Sequence, residues 1–574
     1  MAALTGCQGG SGPPPVGDRA PGFNAGLAAP RDPSSTPGGT LRLVSGPVDS
    51  LDPARSYQLG TWDVMRLYTR QLVTYPARPG AAGTQVVPDL ATALGRGSNG
   101  GRTWTYTLKA GVRFENGRPI TAADVKYGIE RTFATSVLTG GPTWLVQLLD
   151  DPKGPYPGPY QDTDLYRSGM PAIRTPDART IVFTLNRPFL DFDRVLALPS
   201  AGPVPAALDT RAGYGAHPVS SGPYRFAAPV TAASLAASGG TLTLVRNPAW
   251  SRATDAVRTA LPDRVELTLG LPPAERDARL VDGRADLDVT GAGMQPEAAA
   301  NALSDTTLAA RVDNPANGDL RMVAMPVTVP PLNNVHCRRA VQYAADKAGV
   351  KQAVGGDYSA ALATTLWPRD LPGYPATAPY PAGADNHGDL DRAREELRLC
   401  GKPDGFATRI ATVDAGRGLL IAHALRDALG RVGISAEVRP FPEDVYLSAG
   451  AGAPKAVRDG GYGLVVVNWV ADFPSPAAFY PPLVDGRNVR TLGNTDYAQF
   501  TDRALQAQCD TASAAPDRTA AAALWRRVDG SAMALSGYLP LVEDKAVLLT
   551  GPRVHNAYVH LAWRNYDLAA IGVG

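Results

Sequence analysis

The chain has 574 residues, 44% of them hydrophobic, with 56 Lys and Arg against 54 Asp and Glu, a formal net charge of +2. That length exceeds one ordinary core and calls for two or three domains. The balanced charge, with no basic tract or aromatic–basic interleaving, argues against a nucleic-acid partner, and no apolar run approaches the roughly 18 residues of a membrane-spanning helix.

At the N-terminus, Leu4-Thr5-Gly6-Cys7 resembles a bacterial lipobox, whose cysteine becomes the lipid-modified first residue of the mature chain. The basic and hydrophobic parts of a leader are missing, so Met1 to Gly6 read as a shortened remnant. Gln8 to Thr40 is rich in Gly, Pro and Ser and lacks apolar periodicity, as a flexible tether does. A free cysteine in an unstructured tail is the alternative.

Thr40 to Val44 alternates and predicts a strand, followed by Ser50-Leu51-Asp52-Pro53 and a helix over Trp62 to Leu72. Trp104 to Leu108 alternates as a half-buried strand does. From Leu108 to Phe133 the signals are densest. Asn116-Gly117 favours a tight reversal, and Thr121 with Asp124 three residues on is a capping box. Val125, Ile129 and Phe133 then line one helical face.

This run resembles the hallmark segment of the extracellular solute-binding proteins of the peptide/nickel type, which serve ABC importers. The same resemblance extends to the Leu51-Asp52-Pro53 turn, Pro88-Asp89-Leu90-Ala91, Ser221-Gly222-Pro223-Tyr224 and the helical pattern Arg338 to Lys347.

Between these landmarks, the Pro-rich segment Gly154 to Tyr160 reads as a surface excursion packed on its tyrosines, with ligand cover as the alternative. Asp282 to Asp288 lacks the spacing and terminal glutamate of a calcium loop and predicts a helix-to-strand turn. Helices are expected over Asp391 to Leu399, Leu419 to Leu429, Thr501 to Cys509 and Ala520 to Met533, and a strand over Gly433 to Val438. Leu464 to Trp469 is continuously apolar, as a strand buried on both faces is, and delivers Asp472 at its carboxyl end, where binding loops cluster in open α/β sheets. Leu539 to Leu549 is expected to return to the first lobe. Six scattered histidines form no metal motif, and the acids around His387 suit a helix N-terminus. No phosphate loop, dinucleotide fingerprint or nucleophile elbow occurs, so no catalytic residue, metal or cofactor is assigned.

The resemblance implies an α/β, two-lobed periplasmic-binding-protein-like fold of type II, in the large three-domain peptide-binding subclass, with a ligand cleft closed by a hinge. The implied division is a tether over 1–37, a discontinuous first domain over 38–73, 205–324 and 533–574, a second over 74–204, and a third over 325–532. It further implies a monomeric, non-enzymatic receptor that captures oligopeptides or dipeptides and docks on ABC permease subunits, held on the outer face of the membrane through Cys7. Asp472 is the expected partner of a peptide's amino terminus, with Trp469 and Phe473 beside it and Tyr57 and Leu59 near the cleft. Ser475 breaks the local match, standing where many relatives carry an acid. An extracytoplasmic address permits a disulfide, and Cys337–Cys400 is the preferred pair because both flank helices of one expected domain. A receptor for nickel, a metal chelate, a sugar or another metabolite, and an enzyme or signalling receptor on the same fold, stay open as alternatives.

Overall fold

A computed structural model describes residues 20–151, 154–163 and 169–574. Three sheets carry the architecture. In the first, Thr40–Val44 lies between Leu287–Asp288 and Arg264–Thr268, parallel to both, and Thr241–Arg246 and Tyr224–Phe226 extend the sheet antiparallel. Leu41 and Leu43 face the core, as their alternation requires. The 282–288 segment is a helix-to-strand turn: it joins helix Pro273–Val281 to strand Leu287–Asp288, and the Asp286 carboxylate accepts from Arg42 and Arg553.

The second sheet is antiparallel, in the order Arg96–Ser98, Thr103–Thr107, Thr180–Thr184, Ile173–Arg174. The reversal at Gly117 has φ +81°, a region glycine enters without steric cost. Helix Ala122–Arg131 follows, opened by Asp124, whose carboxylate accepts from both the N–H (2.8 Å) and the hydroxyl (2.7 Å) of Thr121. Its last residue, Arg131, reaches Asp52 and Asp209, fastening this unit to the first. Tyr156 packs edge-on against Phe133 and the Tyr160 hydroxyl donates to Asp209, so the Pro-rich segment is a packed surface excursion.

The third sheet has six strands, in the order Ala360–Leu362, Tyr538–Lys545, Ala316–Ala324, Leu464–Trp469, Ala407–Val413, Ser435–Phe441. Leu464–Trp469 is central, antiparallel to one neighbour and parallel to the other, and Leu464 to Val467 are buried. Tyr538–Lys545 and Ala316–Ala324 both belong to this sheet, so the third unit takes in two strands that the expected boundaries at 324 and 532 leave to the first domain, and Leu539 to Lys545 do not return to the first lobe. The chain turns back to the first unit only with Leu548–Leu549, which pairs with Val312–Asp313. Helices Val335–Ala344 and Leu390–Leu399 pack on each other, and Cys337 and Cys400 are joined there, their Cα atoms 5.2 Å apart.

Two further expectations differ from the structure. The helix expected over Trp62 to Leu72 runs over Leu59–Met65 instead. The chain beyond it is held by the Ser221-Gly222-Pro223-Tyr224 turn. Ser221 and Gly222 N–H groups and the Ser220 hydroxyl all donate to the Tyr68 carbonyl, and the Tyr224 N–H donates to that of Leu67. Those carbonyls are then lost to a continuing helix. A Cβ on Gly222 would come within 2.6 Å of the Leu67 oxygen, which is why this turn needs glycine. The tether, likewise, does not extend to residue 37. Arg31 pairs with the fully buried Asp313 at 2.7 Å and donates to the carbonyls of Ala310 and Val312, docking residues 20–37 on the first unit. Cys7 lies outside the described residues.

Candidate functional site

A cavity of about 500 Å³ opens between the units. Tyr57 enters it from the first, Trp144, Arg187 and Phe189 from the second, and Trp469 and Asp472 from the third. Strand Leu464–Trp469 fixes the last pair. Its buried first four residues anchor it in the sheet, and the chain then leaves toward the cavity through Val470 and Ala471. The Ala471 carbonyl accepts from Arg564 of the C-terminal segment at 3.1 Å, which pins this exit.

Asp472 is the focus of the cavity. Its Oδ2 accepts from the Tyr57 hydroxyl at 2.9 Å and from the Trp144 indole N–H at 2.6 Å. Both bonds fall on one oxygen, so Oδ1 has no protein donor among the described residues. Burial pushes the carboxyl up to about 6, against the two hydrogen bonds and the attraction of Arg564, which favour the anion. Burial and the Asp472 charge together raise the Tyr57 phenol, so it stays a donor. Trp144 is held in turn by Phe473, ring centres 5.1 Å apart, and by Phe189 at 5.9 Å. The Trp469 indole N–H is buried with no acceptor among the described residues.

A second charged group lines the same cavity: Arg187, Arg487 and Arg490 with Asp485 and Asp510. Arg487 bridges the two acids, at 2.5 Å from Asp485 and 2.7 Å from Asp510. Arg187 donates to the Gln147 carbonyl and the Asn186 side chain, and to no carboxylate among the described residues. Burial and the repulsion of Arg487 lower its pKa. The charges acting on Arg187 are Arg487, Asp510 and Asp485, whereas the one acting on Asp472 is Arg564. The cavity therefore has two separate poles, one anionic at Asp472 and one with an excess guanidinium at Arg187.

Of the residues singled out by sequence, Asp472, Trp469 and Tyr57 meet in this cavity. Phe473 is buried behind it and acts on it only through Trp144. Leu59 does not line it: it opens helix Leu59–Met65 and packs on the core. Trp144, Arg187 and the 485–490 charges carried no sequence signal, since only tertiary folding brings Trp144 to a partner 328 residues away. No histidine lines the cavity, and among the described residues no cluster of His, Cys, Asp or Glu is placed to hold a metal ion.

Residues 85–491 match the family model described as bacterial extracellular solute-binding proteins, family 5 Middle. The chain belongs to that family. Among solved structures similar to this family 5 chain is a clavulanic acid biosynthesis oligopeptide binding protein 2, 46% identical, with a TM-score of 0.92 over 97% of this chain and 99% of that one. A probable D,D-dipeptide-binding periplasmic protein of Escherichia coli K12 is 26% identical over 439 residues, 75% of this chain and 74% of its own. The fold is shared with a Helicobacter pylori periplasmic binding protein solved with the peptide STSA, 19% identical, TM-score 0.68, covering 94% of this chain and 99% of that one. These family 5 relatives are binding proteins, and among the described residues no helix is long and apolar enough to cross a membrane.

Proposed function

We propose that this family 5 protein is the substrate-binding component of an ABC importer and that it captures short peptides in the two-poled cavity. The observation that carries this is the Asp472 carboxylate, which lines the cavity, is fixed through Oδ2 and has no protein donor to Oδ1 among the described residues. A peptide ammonium there makes charge-assisted bonds that water cannot match in a desolvated site. Arg187, which has no carboxylate partner among the described residues, takes the peptide's carboxylate. A cavity of about 500 Å³ suits a ligand of a few residues. The oligopeptide- and dipeptide-binding names of the relatives support the same class of ligand.

The three sheets are the cores of three units, and the cavity between them closes and opens by hinge motion, higher affinity for the closed form supplying the population shift. The closed protein, a monomer without catalytic activity, docks on permease subunits. Cys7, once lipidated, tethers it at the outer face of the membrane. Intact-mass analysis of protein from the membrane fraction of its native host tests the anchor by its diacylglycerol adduct. Mass spectrometry of ligand released from denatured protein tests the substrate class: peptides with free amino termini are expected, and a non-peptide metabolite overturns it.

A further inference from the structure

We propose that Asp191 is a positioning residue that latches the two halves of the cleft from outside the cavity and thereby sets how long a ligand is held. The inference rests on the capture-and-closure reading above but not on the identity of the ligand.

Asp191 follows the second sheet, just before the short helix Phe192–Leu196. Its Oδ2 accepts from the Ser475 hydroxyl at 2.5 Å. Its Oδ1 accepts from Arg194 on its own side at 2.9 Å and from Arg518 across the cleft at 3.4 Å. One residue earlier, the Leu190 N–H donates to the Ser513 carbonyl at 2.9 Å. Three hydrogen bonds thus cross between the second unit and the third. Asp191 and Ser475 are 7% and 5% exposed, so their bond is shielded from water. Opening the cleft strips Asp191 of both cross-cleft donors and leaves it to Arg194 and incoming solvent.

Asp191, Ser475 and Arg518 do not line the cavity, so they take no part in recognising the ligand. They are nevertheless geared to the recognition site. Ser475 is three residues from Asp472, and Asp191 is two residues from Phe189, whose ring backs Trp144. Engaging the latch therefore brings Trp144 to Asp472. The latch acts at a point that does not line the ligand's cavity.

The test compares wild type with Ser475→Ala, Ser475→Thr, Asp191→Ala and Arg518→Gln, each confirmed folded by thermal unfolding. Ligand-stripped protein is examined by small-angle X-ray scattering, and binding of trialanine by stopped flow. Ser475→Ala and Asp191→Ala are expected to enlarge the radius of gyration of stripped protein or to speed trialanine release about tenfold, with association changed by less than about threefold. Ser475→Thr, which keeps the hydroxyl, should stay near wild type, and Arg518→Gln should fall between. Unchanged scattering together with unchanged release overturns the latch. If trialanine does not bind wild type, the peptide reading suffers and scattering alone decides: unchanged dimensions in both alanine variants overturn the proposal.

Discussion

Asp52 and Arg131 form a two-pronged ion pair, at 2.9 and 2.8 Å, with both side chains fully buried. Asp52 comes from the Leu51-Asp52-Pro53 turn of the first unit and Arg131 from the end of the capped helix of the second. Two segments marked in the sequence as separate landmarks are therefore halves of one junction. The planar guanidinium also takes Asp209 at 3.1 Å and lies over the Tyr214 ring, so little of it is unsatisfied.

Removing one partner strands a buried charge. Arg131→Met is expected to cost about 3–5 kcal/mol of stability, read as a lower urea midpoint at unchanged m-value. A loss below about 1 kcal/mol would mean that the junction is held by packing alone.

The Cys337–Cys400 link closes a sequence separation of 63 residues inside the third unit. Chain-entropy arguments give a loop of this length about 4 kcal/mol, the upper end of the roughly 2–4 kcal/mol typical of disulfides. Non-reducing peptide mapping should recover the two cysteines in one linked fragment, and reduction should lower the thermal midpoint. Separate alkylation of both without prior reduction contradicts the pairing. Cys509, buried and free, should react only on unfolding.

The Asp472 carboxyl, raised by burial to about 6, makes affinity and stability respond to pH in opposite directions. An ammonium ligand binds the ionised form, so affinity should be flat above pH 6 and fall by up to about tenfold per unit below it. The folded state, in contrast, takes up this proton more readily than the unfolded chain, whose aspartate titrates near 3.9. Its contribution to stability is fully present below about pH 4 and lost as pH rises through 6. Denaturation of wild type and Asp472→Asn across this range isolates the contribution, since the difference between them should vanish in slope above pH 7. Affinity that stays flat down to pH 5 contradicts the account.

Sequence made the frame legible where local chemistry fixes it. The Thr121–Asp124 box, the Gly117 reversal and the apolar run Leu464 to Val467 each determine their element with partners a few residues away or by burial on both faces. The end of helix Leu59–Met65 is not legible locally, because what ends it is a turn about 150 residues downstream that takes the carbonyls beyond it. The same limit applies to the cavity. Asp472 and Tyr57 stood out by resemblance, but Trp144 and Arg187 come from the second unit and acquire meaning only opposite the third. Ser475, which interrupts the resemblance, has a local explanation: an acid there would face the Asp191 carboxylate, whereas a hydroxyl donates to it.

At the other pole, Arg187→Gln should weaken binding of a peptide with a free carboxyl terminus by about 1.5–3 kcal/mol, the range of a hydrogen bond to a charged group. The C-terminally amidated peptide should lose much less, by calorimetry. Equal losses on both peptides would remove Arg187 as the carboxylate partner.

A calorimetric cycle tests most directly whether Asp472 holds the ligand's amino group. Asp472→Asn preserves shape and removes the charge, and four affinities are measured: each protein with one peptide in free-amine and N-acetylated forms. The mutation is expected to weaken binding of the free-amine peptide by about 2–5 kcal/mol, chiefly through faster release, while the acetylated peptide binds wild type poorly and loses little more. Equal losses for the two peptides would contradict it.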